Sequence, residues 1–168
     1  DYKSKLLHVS TDYVFDGKST IPYEPDDKLN PINAYGHTKA KGEENIKEIL
    51  GWSDKAIILR SSWVMGPNYK NFLSTMVKLL KEKKEIPVVT DQVSCPTSTS
   101  TLALMCWEII RKQEVIFDCN KNPLPIFHCS DKGVASWYDV AKLISRFGLE
   151  IGIFDRPSNI CPIIPITT

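Results

Sequence analysis

KLLHVSTDYVFDG, residues 5–17, decides the fold class. Lys5 to Ser10 is an apolar run of strand length. It ends in the two hydroxyls of Ser10 and Thr11 and then turns through Asp16 and Gly17, residue types that shape turns. Residues 11–33 form a long connection rich in Asp, Pro and Gly, and a loop of that length in a compact domain is more often functional than idle. A helix follows over about Ala34 to Leu50, with Gly51 as its expected C-cap. Lys55 to Arg60 (KAIILR) reads as a second strand, apolar throughout as a strand covered on both faces should be.

The alternation continues outward. Asn71 to Lys83 places Phe72, Met76, Leu79 and Leu80 at helical spacing. Ile86 to Val89 reads as a strand. Thr99 to Arg111 reads as a helix with Leu102, Met105, Cys106, Ile109 and Ile110 inward. Val115 to Phe117 and Ile126 to Cys129 are expected strands. Ser136 to Phe147 is expected to be a helix with Ser136 as N-cap, turning Val140, Leu143 and Ile144 to the core. The tail from Pro157 is rich in proline and shows no periodic pattern. Strand alternating with helix predicts an α/β fold with a parallel sheet. Only one strand precedes the first helix, so an apolar strand lacks an obvious neighbour on one side.

Composition narrows the function. The 168 residues are 42% hydrophobic and 24% charged, as in an ordinary globular domain. Basic and acidic residues number 21 and 20, a net charge of +1, which offers no bulk attraction to nucleic acid or to an anionic membrane. The densest basic run, Lys78, Lys81, Lys83 and Lys84, reads as a solvated helix end. No apolar stretch approaches the roughly 20 residues that span a bilayer. The five cysteines (Cys95, Cys106, Cys119, Cys129 and Cys161) are scattered, without a CxxC pair, and the three histidines lie far apart. Free thiols in a reducing cytoplasm, with no metal site, are the expectation.

Tyr35 and Lys39 lie four apart on the first expected helix and share one face. An isolated phenol titrates near ~10, and an ammonium held beside it favours the ionised form. Such a pair suits proton transfer near neutral pH. The spacing alone is weak, because a second instance, Tyr138 and Lys142, sits on an amphipathic helix and reads as structural. Context separates the two. Upstream of Tyr35, two hydroxyls emerge at the C-terminal edge of a strand, where open α/β sheets bind ligands.

Four blocks in order, STDYVFDG (10–17), PINAYGHTKAKGE (31–43), LRSSWV (59–64) and VVTDQVSCPT (88–97), resemble the dTDP-4-dehydrorhamnose reductase family, which belongs to the extended short-chain dehydrogenase/reductases. A weaker echo occurs at ASWYDVAKLI (135–144). The resemblance implies the later half of a Rossmann-type parallel sheet over residues 1–85 and an incomplete substrate-binding region over 86–168. It implies that Thr11 bonds a substrate carbonyl, that Tyr35 donates a proton, and that Lys39 supports the phenol and holds a nicotinamide ribose. Ser10, Ser61 and Ser62 would border the cofactor, NADPH or NADH. Asp12, Tyr13, Trp63, Pro96 and Thr97 would face a nucleotide-sugar substrate, with Asp91 and Gln92 in the same block as the last two. For Trp63 the competing reading is a packing aromatic, and for Thr97 or Thr99 a helix cap. His37 reads as exposed helix surface.

Two departures refine the expectation. Relatives that dehydrate nucleotide sugars carry Thr-Asp-Glu at the first block, and their glutamate removes a proton. Tyr13 stands there instead, which disfavours dehydration and leaves keto-reduction. The second departure concerns the cofactor. The glycines, at 17, 36, 42, 51, 66, 133, 148 and 152, nowhere give GxxGxxG or GxGxxG. By resemblance about four βα units would precede Lys5, so the chain reads as an internal piece, inactive alone, of an NAD(P)-dependent oxidoreductase. A nucleotide-sugar epimerase of the same fold and a non-catalytic regulatory subunit stand as alternatives. A homodimer is left open as the assembly.

Overall fold

The computed structural model describes residues 4–53, 55–68, 70–116 and 124–168, except for the side chain of Val115. In chain order the elements are β1 (Leu6–Thr11), α1 (Ala34–Leu50), β2 (Ala56–Ser61), β3 (Val64–Met65), α2 (Phe72–Glu82), β4 (Ile86–Val89), β5 (Val93–Ser94), β6 (Thr97–Ser98), α3 (Thr99–Arg111), α4 (Gln113–Ile116), β7 (Ile126–Cys129), β8 (Ala135–Ser136), α5 (Trp137–Glu150) and β9 (Ile163–Ile166). The α/β class with parallel strands is as expected. None of the helices among the described residues is long and apolar enough to cross a membrane.

Two compact units divide the chain. The first takes residues 1–62 and 100–130, the second 63–99 and 131–168. These limits differ from the boundary expected after residue 85. β7 pairs in parallel with β2 and draws residues 100–130 back to the first unit, whereas Met76 and Leu80 of α2 join Ile86 and Val88 of β4 and Ala141 of α5 in the second unit's core.

In the first unit β1, β2 and β7 form a parallel sheet in that order. All of β2 is buried, and Ile57, Ile58 and Leu59 are fully so. Removing each such side chain from water contributes roughly 1.5–3 kcal/mol. Because side chains alternate across a strand, Ala56 and Ile58 meet Ile46 and Leu50 of α1 on one face. Ile57 and Leu59 meet Leu102, Cys106 and Ile109 of α3 on the other. β1 is an edge strand with Leu6 and Val9 exposed. α1 has the bounds the sequence predicts. The Asn33 side chain caps it by accepting from the Gly36 N–H at 2.8 Å, and Gly51 closes it in a right-handed conformation.

The long connection is pinned through Asp16, whose carboxylate accepts from the Tyr23 hydroxyl at 2.7 Å, the Lys18 N–H at 3.0 Å and the Asn30 amide at 2.9 Å. These bonds, that from Tyr23 foremost, hold its pKa at about 2. Gly17 follows at φ +70, a left-handed turn position that suits glycine.

In the second unit β4 and β9 pair in parallel, β3 pairs with β6 in parallel, and β5 with β8 antiparallel. α2 and α5 pack with β4 and β9 around Met76, Leu80, Ile86, Val88, Ala141, Phe154 and Cys161. Capping boxes open both helices, at Asn71 with Ser74 and at Ser136 with Asp139. Tyr138 packs against this core, as its structural reading requires.

Several expectations change. Residues 113–116 are helical, not the strand expected from Val115; Phe117 and Cys119 lie outside the described residues. Met105, Ile110 and Leu143 are exposed rather than inward. The proline-rich tail contains β9, whose partner strand is itself interrupted by Pro87.

Candidate active site

The first unit carries the proposed chemistry at the C-terminal rim of its sheet. Register aligns Thr11 of β1 with Ser61 of β2, and Ser61 with Cys129 of β7, so these side chains form the outermost row on one face. The Ser61 hydroxyl is buried and has no hydrogen-bond partner among the described residues. Buried hydroxyls rarely stay unsatisfied. An unclaimed one at the rim where α/β sheets take ligands fits the ribose or carboxamide end of a nicotinamide.

Beyond Thr11 the chain turns through a single 3-10 turn, Asp12–Val14. The Thr11 hydroxyl accepts from the Tyr13 N–H at 3.3 Å and donates to the Asp12 carboxylate at 3.1 Å. α1 approaches this corner closely. Gly36 lies against the Tyr13 carbonyl, and a Cβ at position 36 would collide with that oxygen. The Tyr13 ring meets the Tyr35 ring edge-on, with centroids 5.8 Å apart and planes at 73°. One turn on, the Lys39 ammonium donates to the Val9 carbonyl of β1 at 2.7 Å. The Tyr35 ring is 56% exposed at the helix start. Thr11, Asp12, Tyr13, Tyr35 and Lys39 therefore gather at one corner. Partial burial raises the Tyr13 pKa, with Asp12 and Tyr35 adding to the shift. Ser62 follows Ser61 as β2 ends and is half-buried.

Trp63, Pro96 and Thr97 belong to the second unit. Trp63 adopts φ +41, strained for a bulky residue, and stacks on Trp137 with centroids 3.6 Å apart and planes at 13°. Phe72 leans on the same ring at 4.4 Å. Trp63 is thus both a packing aromatic and a residue held in an uncommon conformation, which clusters at functional positions. Thr97 is 1% exposed and lies in β6 rather than capping α3; Pro96 is half-buried. Asp91 and Gln92 bond Thr168. His37 is exposed.

One residue earlier along the same strands, and so on the opposite face, lies a second row, Ser10, Arg60 and His128, that sequence reasoning left out apart from Ser10. It faces Glu43 of α1. Arg60 bonds the Glu43 carboxylate through Nη2 at 2.7 Å and Nε at 3.0 Å, and the Ser10 hydroxyl donates to it at 2.5 Å. Glu43 continues the Tyr35 and Lys39 stripe at a further four residues and Arg60 is the one charge inside β2, but only the strand register shows that the two meet.

His128 sits against Arg60, and its pKa is lowered by burial first and by that guanidinium second. His8 is lowered by burial and then by Lys39. Both titrate below the 6.5 of an exposed imidazole, so as pH falls the unfolded chain takes up protons before the folded one. Stability contributed by the neutral rings is present above that value and is lost on acidification. The urea midpoint is expected to be lower at about pH 5.5 than at about pH 7.5, with the gap narrowed by His128→Gln or His8→Gln. Equal midpoints at the two values would refute this.

A family model described as RmlD substrate binding domain matches residues 1–159. The spore coat polysaccharide biosynthesis protein SpsK of Bacillus subtilis (strain 168) is 42% identical over 151 residues, which are 89% of this chain and 49% of that protein. A dTDP-4-keto-6-deoxy-D-glucose reductase of Streptomyces niveus is 37% identical over 146 residues, 87% of this chain and 47% of that protein. Among solved structures, dTDP-4-dehydrorhamnose reductase from Bacillus anthracis str. Ames in complex with NADP superposes with a TM-score of 0.78 at 33% identity, covering 98% of this chain and 51% of that one. The chain spans about half the length of these relatives.

Proposed function

Because the chain belongs to the RmlD substrate binding domain family, we propose that the protein it forms reduces the 4-keto group of a dTDP-linked deoxysugar. One observation carries this reading: the Tyr35–Lys39 turn lies against the Thr11–Tyr13 corner. A nicotinamide cofactor, NADPH or NADH, supplies the hydride when bound. Lys39, Ser61, Ser62 and Ser10 are the residues of this chain that would border it.

The chain's own residues handle the proton and the carbonyl. Thr11 orients the substrate carbonyl when its hydroxyl proton turns from Asp12 to the substrate oxygen. The Tyr35 phenol gives its proton to the oxygen as negative charge develops there. Lys39 stands one turn behind, where its ammonium stabilises the phenolate that remains. Asp12 and Tyr13 are proposed to face the sugar; Trp63, Pro96 and Thr97 are proposed substrate residues on the strength of the family resemblance. The relatives named as reductases of dTDP-linked keto sugars support the choice of substrate.

The test is direct. The complete gene product, mixed with a dTDP-4-keto-6-deoxysugar and NADPH, is expected to consume the nicotinamide in step with loss of the keto sugar. An epimerase rearranges the sugar with no net oxidation, and a regulatory subunit leaves both untouched. Either result overturns the proposal.

A further inference from the structure

We infer that Glu43 and Arg60 are positioning residues for the Tyr35–Lys39 pair, and this rests on the function proposed above. Tyr35, Lys39 and Glu43 follow one another at intervals of four on α1, so they run along one stripe of the helix. The first two reach the rim, whereas Glu43 is 3% exposed and enters the sheet. It meets Arg60, 4% exposed, on the central strand. The guanidinium engages both carboxylate oxygens, Nε at 3.0 and 3.2 Å and Nη2 at 2.7 Å. Its remaining nitrogen, Nη1, donates to the Pro25 carbonyl at 3.0 Å and lies 3.2 Å from Nε2 of His128. The Phe15 ring lies under it at 5.1 Å. Ser10, the residue before Thr11, donates to Glu43 Oε1 at 2.5 Å, an oxygen that Arg60 Nε also reaches.

Five segments thus meet at one buried charge pair: the end of β1, helix α1, strand β2, strand β7 and the long connection. Stability does not require it, since a buried ion pair is often no better than an apolar pair of equal volume. Direction is what the pair adds. An apolar contact lets a helix slide or roll on a sheet, whereas a forked guanidinium on a carboxylate fixes both. The pair it fixes is the one just before Thr11–Ser61 along β1 and β2, on the opposite face of the sheet, the face α1 covers. It therefore sets the height and rotation of Tyr35 and Lys39 relative to Thr11, and it ties that setting to the strand residue next to the hydroxyl.

The decisive variant is Glu43→Leu combined with Arg60→Met in the complete gene product. Either change alone strands a buried charge and can unfold the protein for that reason. The double change removes both charges and keeps the volume. Tyrosines are labelled with fluorotyrosine, and the Tyr35 fluorine signal is assigned by its loss in Tyr35→Phe. We expect a cooperative thermal transition close to that of the parent, but a displaced or broadened Tyr35 signal. Turnover should fall about tenfold through misplacement, while KM for the sugar nucleotide moves less than about threefold. A folded double variant with the parent's Tyr35 signal overturns the inference, and so does unchanged turnover. Absence of turnover in the parent itself is a separate result: it overturns the proposed function, while the Tyr35 signal still decides whether the pair positions the ring.

Discussion

Tyr35→Phe in the complete gene product is expected to lower turnover by about 10²-fold or more, as loss of general acid catalysis should. That factor equals about 2.7 kcal/mol of transition-state stabilisation. The substitution is clean for structural reasons. Phenylalanine keeps the ring that meets Tyr13 edge-on. The residue is more than half exposed, so deleting its hydroxyl strands no buried partner. Surface changes of that kind stay within about 0.5 kcal/mol, too little to explain a hundredfold loss through unfolding. Tyr138→Phe supplies the control. It belongs to the other Tyr-x-x-x-Lys spacing, on α5, where the ring packs beside the second unit's core. Its turnover should match the parent's. Near-normal turnover in Tyr35→Phe would remove the chemical assignment, whatever the cofactor assay shows.

The difference between those two tyrosines shows what could be read from sequence. Ala34–Leu50 was legible end to end because its signals are local: Gly51 marks its stop in the sequence, and the structure adds Asn33 as its N-cap. The rim hydroxyls were legible because they end an apolar run. Local signals did not reach the buried pair. Glu43 is one of several acidic residues in its helix, and nothing short of strand register reveals that Arg60 faces it from 17 residues away. The helix stripe was read too broadly for a similar reason. Leu102, Cys106 and Ile109 hold one face of α3, and Met105 and Ile110 flank it by about a quarter turn each, which is enough to expose them. Strands of two residues have too few positions to display a period, and β9 carries a proline where alternation would be sought. Val115 and Ile116, the described part of the strand expected over Val115 to Phe117, lie next to the end of α3 and fall in helix instead.

Gly36→Ala is expected to reduce turnover nearly as much as the loss of the phenol, with the fold retained. On propensity alone alanine should help, by up to about 1 kcal/mol in a helix interior. Packing decides otherwise. The new methyl points at the Tyr13 carbonyl and also lies 3.0 Å from the Pro31 Cβ. A backbone oxygen cannot rotate aside as a side chain can. Either the first turn of α1 retreats from the corner or the 3-10 turn after Thr11 shifts. Overpacking of this sort costs about 1–3 kcal/mol, which the propensity gain partly offsets, so the protein should still fold. Its geometry will not be spared, because the displaced turn is the one that carries Tyr35. A shift on the order of 1 Å between reacting groups can cost about 10²-fold in rate. Kinetics and a thermal melt on the same sample separate the effects. A small change in melting temperature with a large fall in kcat is the expected pattern. A Gly36→Ala protein with full activity would mean that the close approach of α1 to the Thr11–Tyr13 corner is not what aligns the proton donor.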